Sequence, residues 1–352
     1  MEQEKKVLME GNEVVAEAAI IAGCRYYFGY PITPQNEIPA YMSWRLPQVG
    51  GVFIQAESEI AAINMVFGAA LTGEKAMTSS SSPGISLKQE GISYMAGCEL
   101  PALIVNMNRS GPGLGGIQAS QSDYFQSTKG GGHGDYRLIV FAPTSLQELM
   151  DLTILSFDLA FKYRNPVLIL GDAILAQMKE PVILRKPSLN KIPSYDWTLR
   201  GALNRPPRFI KSLFLNCEDL EKHNLHLQEK YLKIEKTEIK YQAENIENAE
   251  YLVVAFGSCA RIAKSAVKEA QKQGMKIGFI RPITVWPFPY SIIKEVSSKV
   301  KKVLVIEMNA GQMLEDVKLA VLGNCEVNFF GKMGGAIPTS QEILEEIKKI
   351  VK

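Results

Sequence analysis

Gly29-Tyr30-Pro31-Ile32-Thr33-Pro34 carries the end of a short aromatic strand candidate, Tyr26–Tyr30, which stops at Pro31. Each proline fixes φ and biases the residue before it towards an extended shape. The Thr33 hydroxyl is therefore held in a stiff loop just past the C-terminal end of a strand. In open α/β sheets that edge is where ligands bind. A plain turn would use the same residue types, so the loop acquires meaning only from its surroundings.

Those surroundings alternate between strands and helices. Lys6–Glu10 reads as a strand, and Asn12 is expected to cap a small-residue helix over Val14–Ala22 that ends at Gly23. Gly51–Gln55 reads as a strand, followed by a helix over Glu59–Leu71 and a stop at Gly73. Ala102–Asn106, Leu138–Phe141 and Val167–Leu170 are apolar runs of the buried-strand type. Such runs between helices imply a parallel sheet covered on both faces. From about Lys179 prolines recur and a charged segment, Glu218–Lys240, suits an exposed helix in a connector. A second α/β unit begins at Tyr251–Phe256, with a helix over Arg261–Gln273, strands at Ile277–Ile280 and Val303–Glu307, and a last helix over Gln341–Val351. That order suits a small doubly wound domain. The division expected is 1–195, a connector over 196–246, and 247–352.

Composition narrows the class. The chain has 352 residues, 46% of them hydrophobic and 22% charged, as in an ordinary soluble protein of about two domains. A net charge of +2 gives no footprint for nucleic acid or a membrane surface. The start, MEQEKKVLME, lacks the apolar run of a secretory signal, and no stretch approaches a membrane span, so the cytoplasm is the default location. The five cysteines are scattered and form no CxxC pair, so neither an iron–sulfur nor a zinc ligand set is present.

Two further segments carry chemistry. In Gln55-Ala56-Glu57-Ser58-Glu59 the second glutamate opens a helix whose next residues are small and apolar. A carboxylate there is stabilised by the helix N-terminus, and a helix-capping acid would look the same. In Asn106-Met107-Asn108-Arg109-Ser110-Gly111-Pro112-Gly113-Leu114-Gly115-Gly116 an arginine follows a buried strand and precedes a glycine-rich loop. A guanidinium offers a planar fork of donors suited to a carboxylate. The loop does not run into a helical pattern, as a dinucleotide fingerprint requires.

Together with Ser79-Ser80-Ser81-Ser82-Pro83-Gly84 and Gly130-Gly131-Gly132-His133-Gly134-Asp135, these motifs make the whole chain resemble the α subunit of 2-oxoacid:ferredoxin oxidoreductases, most closely the 2-oxoisovalerate (branched-chain) and 2-oxoglutarate types. The resemblance implies a thiamine-diphosphate-fold, pyrimidine-binding domain, followed by a smaller α/β domain like the C-terminal domain of transketolase. It implies that Glu59 binds the cofactor's aminopyrimidine ring. Glu57 competes, but Gly68 stands nine residues after Glu59, the spacing the family uses. It implies that Thr33 contacts the substrate, that Arg109 holds the 2-oxoacid carboxylate, and that Pro31, Ile32, Ser82 and Gly84 line the cofactor cleft. The reaction implied is oxidative decarboxylation to an acyl-coenzyme A and carbon dioxide, with electrons passing to ferredoxin.

What the chain lacks is part of the same expectation. Gly171-Asp172-Ala173 lacks the last glycine of the family's magnesium motif, and Asn190 and Asn204 fall at the wrong distance from it. Asp172 therefore reads as an ordinary strand-end residue. No metal site is expected here. The resemblance implies a β subunit holding diphosphate and magnesium, γ and ferredoxin-like δ subunits as further partners, and iron–sulfur clusters on subunits other than this one. His133 is read either as a group near substrate or coenzyme A or as a loop-ordering residue. Two rivals stand beside this reading: the β chain of a lipoamide-linked 2-oxoacid dehydrogenase, and a non-catalytic scaffold of the same fold.

Overall fold

The computed structural model describes residues 6–185 and 195–352; Asn190 lies outside them. In chain order the first part runs β1 (Lys6–Glu10), α1 (Gly11–Ile21), β2 (Tyr26–Gly29), α2 (Glu37–Gln48), β3 (Val52–Gln55), α3 (Glu59–Leu71), β4 (Ala76–Ser80), α4 (Ser82–Gly97), β5 (Ala102–Asn108), α5 (Tyr124–Thr128), β6 (Ile139–Phe141), α6 (Leu146–Tyr163), β7 (Pro166–Asp172), α7 (Ala173–Gln177) and β8 (Lys179–Ile183). The second part runs α8 (Cys217–Thr237), β9 (Tyr241–Glu244), β10 (Tyr251–Ala255), α9 (Gly257–Lys272), β11 (Ile277–Pro282), β12 (Thr284–Trp286), α10 (Tyr290–Ser297), β13 (Lys302–Glu307), α11 (Met313–Val321), β14 (Glu326–Gly331) and α12 (Ser340–Val351).

The strands form two main sheets. The larger has the order β12-β6-β7-β5-β4-β2-β3 and is parallel except at β12. Every residue of β4, β5 and β7 is buried, as expected of strands covered on both faces. Helices α1, α2 and α6 pack together as one layer, and α3 and α4 as another. The smaller sheet has the order β14-β13-β10-β11-β9, parallel except at β9.

The two sheets share the chain between 241 and 286. β9 belongs to the smaller sheet, a few residues ahead of 247. β12 leaves the second unit and pairs with β6 through Thr284↔Phe141 and Trp286↔Val140. The charged helix α8 is also less detached than its composition indicates. Leu227, Tyr231 and Ile234, spaced along one face, are buried, and Tyr231 meets Trp286 edge-on at 6.1 Å. The seam between the units carries buried hydrogen bonds beside the Tyr124–Phe256 ring contact. Gln121 donates to the Phe256 carbonyl at 2.7 Å, Tyr124 donates to Asp316 at 2.6 Å, and Ser258 donates to Asp172 at 2.9 Å.

Asn12 does not cap α1. Glu10 is the N-cap, in a reciprocal capping box with Glu13. Asn12 instead lies in the first turn and donates to the Pro34 carbonyl at 2.8 Å and to Glu37 at 2.6 Å. It ties the first helix to the proline loop.

Candidate functional site

Strands β5, β4, β2 and β3 are neighbours, and all four run in the same direction. Their C-terminal ends therefore open on one edge of the sheet. From β2 comes the Tyr30–Pro34 loop, from β3 the start of α3 with Glu59, from β4 the start of α4 with Ser82 and Gly84, and from β5 Arg109. Residues far apart in sequence are brought together by this parallel register alone.

Ser58 caps α3, its hydroxyl accepting from the Ala61 amide at 3.2 Å. Glu59 is thereby released from capping. It is only 7% exposed, yet makes no hydrogen bond or ion pair among the described residues. Glu57 is exposed and accepts only from its neighbour Ser58 at 3.0 Å. The Glu59 carboxylate lies against the first turn of α4. A Cβ at position 84 would stand 2.1 Å from Ser80 Oγ and 2.6 Å from Glu59 Oε1, so only glycine fits there. Ser80 and Ser81 hydroxyls are buried beside it with no partner. Ser79 and Ser80 are thus strand residues, not loop.

Arg109 is 7% exposed. Its Nη1 donates to the Thr33 carbonyl at 3.1 Å and its Nη2 to the Leu114 carbonyl at 2.9 Å, while Nε is buried without a partner. No carboxylate pairs with it among the described residues, which leaves a buried cation uncompensated. Its backbone is pinned to α4, with Ser82 Oγ accepting from the Arg109 amide at 3.0 Å and donating to its carbonyl at 3.2 Å. The loop after it folds back, and Ala119 bridges Arg109. Gly115, at φ +61°, permits that return, because a Cβ there would meet the Ser110 carbonyl oxygen at 1.9 Å.

Between this loop and the second unit lies a cleft of about 390 Å³, lined by Ser82, Ser86, Arg109, Ser120, Asp123 and Asn309 among others. Burial raises the Asp123 carboxyl, against hydrogen bonds from Ser82 and Asn106. No motif marks Asn309 or Asp123: Asn309 reaches this edge from the second unit only through tertiary packing, and Asp123 sits in the irregular segment between β5 and α5. Thr33 is half-exposed, its hydroxyl accepting from Asn36 at 3.3 Å. Pro31 is exposed and Ile32 half-exposed in the same loop.

His133 is not part of this edge. The glycine loop around it packs on the other half of α4, where the Gly132 amide donates to Tyr136 Oη at 2.9 Å. His133 lines a separate cavity of about 600 Å³ with Tyr94, Cys98, Ile210 and His223, at the far end of a helix roughly 20 Å long. Asp172 caps α7, accepting from the amides of Ile174 and Leu175.

A free carboxylate, two orphaned serine hydroxyls and an unpaired guanidinium on one sheet edge fit a polar cofactor and an anionic substrate. Comparison with known proteins identifies the family. Residues 17–246 match the family described as pyruvate flavodoxin/ferredoxin oxidoreductase, thiamine diphosphate-binding, and residues 249–343 match pyruvate:ferredoxin oxidoreductase core domain II. The chain belongs to the 2-oxoacid:ferredoxin oxidoreductases, as a subunit with a thiamine-diphosphate-binding domain. It is 48% identical over 343 residues to ketoisovalerate oxidoreductase subunit VorB of Methanothermobacter marburgensis, covering 97% of each chain. It is 38% identical over 363 residues to 2-oxoglutarate synthase subunit KorA of Methanocaldococcus jannaschii, covering 96% of this chain and 98% of that one. A solved 2-oxoglutarate:ferredoxin oxidoreductase from Magnetococcus marinus, with 2-oxoglutarate, coenzyme A and succinyl-coenzyme A bound, superposes with a TM-score of 0.89 at 26% identity. The match covers all of this chain and 66% of that one. A split-gene transketolase shares the fold at a TM-score of 0.61 and 12% identity. No helix of the described residues is long and apolar enough to cross a membrane.

Proposed function

We propose that this chain supplies the aminopyrimidine and carboxylate sites of an enzyme that oxidatively decarboxylates a branched-chain 2-oxoacid, 2-oxoisovalerate, to its acyl-coenzyme A, with ferredoxin as electron acceptor. The observation that carries it is the pairing of an unbonded carboxylate, Glu59, with an uncompensated guanidinium, Arg109, on one sheet edge. When bound, thiamine diphosphate supplies the nucleophilic carbon and the electron sink. Glu59 would hydrogen-bond a ring nitrogen of the bound aminopyrimidine and assist proton transfer there. Arg109 neutralises the substrate carboxylate, with Nε free to donate, and orients the 2-oxo carbon beside it. Thr33, on whose carbonyl Arg109 rests, offers its hydroxyl to the substrate. Ser82 and Gly84 form the wall that lets the ring approach, and Pro31 and Ile32 form its outer lip.

A β subunit supplies diphosphate and magnesium binding, γ and δ subunits complete the assembly, and iron–sulfur clusters on subunits other than this one deliver electrons to ferredoxin. Exposed apolar side chains around Glu59 support a partner docking there: Val52 and Ile54 on the edge strand β3, Ile60 and Met65 on α3, and Leu87 on α4. The high identity with the VorB chain supports the branched-chain substrate over 2-oxoglutarate. The test is a panel of 2-oxoacids assayed on the reconstituted complex. The expected result is a kcat/KM for 2-oxoisovalerate above that for 2-oxoglutarate by about tenfold or more, a difference of roughly 1.4 kcal/mol. A reversed order would move the assignment to 2-oxoglutarate. The chain alone is expected to oxidise no 2-oxoacid.

A further inference from the structure

Side chains four apart on a helix share a face. On α4 the residues Gly84, Lys88 and Gly91 lie along the face turned to α3. The two glycines mark the closest approach: a Cβ at 84 would crowd Glu59 Oε1, and a Cβ at 91 would stand 2.6 Å from Ile63 Cγ2. Between them Lys88 is 0% exposed. Its Nζ donates to Thr78 Oγ1 at 2.8 Å and to the Ser79 carbonyl at 2.9 Å. An ammonium has three donors, and both partners found are neutral. No carboxylate lies within ion-pair distance of Lys88 among the described residues.

The residues it holds brace the neighbours of the site. Ser79 Oγ is bonded to Tyr27 Oη at 2.7 Å and donates to Gln35 at 2.5 Å, and Gln35 donates to the Tyr30 carbonyl at 3.2 Å. Ser80, next along β4, stands beside Gly84 and the Glu59 carboxylate. One lysine thus grips the strand end from which both the Tyr30–Pro34 loop and the Glu59 corner are braced. A fully buried amino group is costly, and an apolar residue would pack between the helices without that cost. Burial pushes the ammonium down to about 7, and Glu59 is the charged group that opposes the shift. From β2 the Tyr27 hydroxyl faces it only through Ser79.

We propose that Lys88 is a positioning residue of the Glu59 site: it anchors the end of β4, and its charge is set against the Glu59 carboxylate, so that the aminopyrimidine is bound by the two jointly. This rests on the reading of Glu59 as the aminopyrimidine ligand.

Two measurements test it. In the full-length chain without cofactor, the Lys88 side chain is followed through a pH titration by NMR of ¹³Cε-labelled lysine, assigned with Lys88→Arg. Glu59→Gln is expected to lower the Lys88 midpoint by about one unit, because it removes the opposing charge; an unchanged midpoint overturns the coupling. In the assembled complex, Lys88→Met is expected to weaken thiamine diphosphate binding about tenfold when Glu59 is present and less than about twofold in a Glu59→Gln background. Equal weakening in both backgrounds would reduce Lys88 to packing and overturn the proposal. If Glu59→Gln alone leaves cofactor affinity and turnover intact, the reading of Glu59 fails. The cofactor-free titration still decides whether the two charges are coupled.

Discussion

Two buried glutamates stand at the C-terminal edges of the two sheets, one ending a strand and one opening a helix, and their surroundings are opposite. Glu307, at the end of β13, is 0% exposed and accepts from the amides of Met313 and Leu314 at 2.8 and 2.9 Å and from Asn309 Nδ2 at 2.8 Å. Glu59, at the start of α3, is 7% exposed and accepts no hydrogen bond among the described residues. The arginines repeat the contrast. Arg281, 6% exposed, forms a bidentate pair with Glu148 at 2.8 and 3.0 Å and also donates to Gln242. Arg109, 7% exposed, rests on two carbonyl oxygens with Nε unfilled. Burying a charge costs several kcal/mol unless it is paired. In the seam and the second unit the hydrogen-bonding partners are supplied within the chain. At the edge of the first sheet no such bonds reach Glu59 among the described residues, Lys88 opposing its charge only from a distance, and the hydrogen-bonding partners come from outside.

The contrast breaks most visibly in activity at Glu59. Glu59→Gln in the assembled complex is expected to lower turnover by about 10²–10⁴-fold, the range of acid–base assistance. The melting temperature of the isolated chain should stay within about 2 °C, since no bond within the chain is lost. Steady-state kinetics beside thermal unfolding checks both halves. If Glu57→Gln costs more turnover than Glu59→Gln, the open carboxylate has been misplaced by two residues.

The arginines sharpen the comparison by a crossed pair of variants. Arg109→Ala is expected to lower kcat/KM by about 10²-fold on every 2-oxoacid, with Arg109→Lys losing less, because the carboxylate is common to all substrates and a fork holds it better than a point charge. Stability should change little, because loss of the bonds to the Thr33 and Leu114 carbonyls is offset by removal of a buried charge with no carboxylate partner among the described residues. Arg281→Ala should instead destabilise the chain by on the order of 3 kcal/mol, because Glu148 is left uncompensated. Kinetics on 2-oxoisovalerate and pyruvate, with denaturant unfolding of the isolated chain, separates the two. An Arg109→Ala complex with normal efficiency on either substrate would remove the carboxylate role.

How much of this was readable in the sequence follows the same divide. The helix at Glu59–Leu71 was placed to the residue, because a cap, small apolar residues and a glycine stop are all local signals. The strand before Arg109 was found but runs on to Asn108. The closeness of Thr33 and Arg109, 76 positions apart, comes from parallel register, which leaves no local trace. β12 was missed because three residues that cross to the other unit's sheet carry no pattern of their own. Asn12 has the chemistry of a cap, but its amide is spent on Pro34 and Glu37 instead. Lys88 was passed over because a lysine on a helix usually marks a solvated face, and only tertiary packing shows that this one faces inward.

The smallest effect, and the one that tests the closed side of the comparison, is a pH slope at Glu307. Burial pushes its carboxyl from an ordinary 4.5 up to about 7, although Met313, Asn309 and Leu314 donate to it and oppose the shift. The folded chain therefore holds this proton more tightly than the unfolded chain does. Below pH 4.5 both states carry it, and its contribution to stability is fully present. Between about 4.5 and 7 the unfolded chain has released the proton while the folded chain retains it, so the contribution fades as pH rises and is gone above 7. The isolated chain should accordingly lose stability from pH 5 to pH 7.5, by on the order of 1–3 kcal/mol from this group. Asp123 and Asp172, also raised by burial, act in the same direction, so the wild-type slope alone does not isolate Glu307. Glu307→Gln does. The amide keeps one acceptor oxygen for the helix amides but has no proton to release, so the level of stability shifts by a constant while the slope flattens. Thermal unfolding of both chains across that range reads the difference. Parallel curves would mean that Glu307 gains nothing from its enclosure, and the distinction between a closed and an open carboxylate would lose its energetic basis.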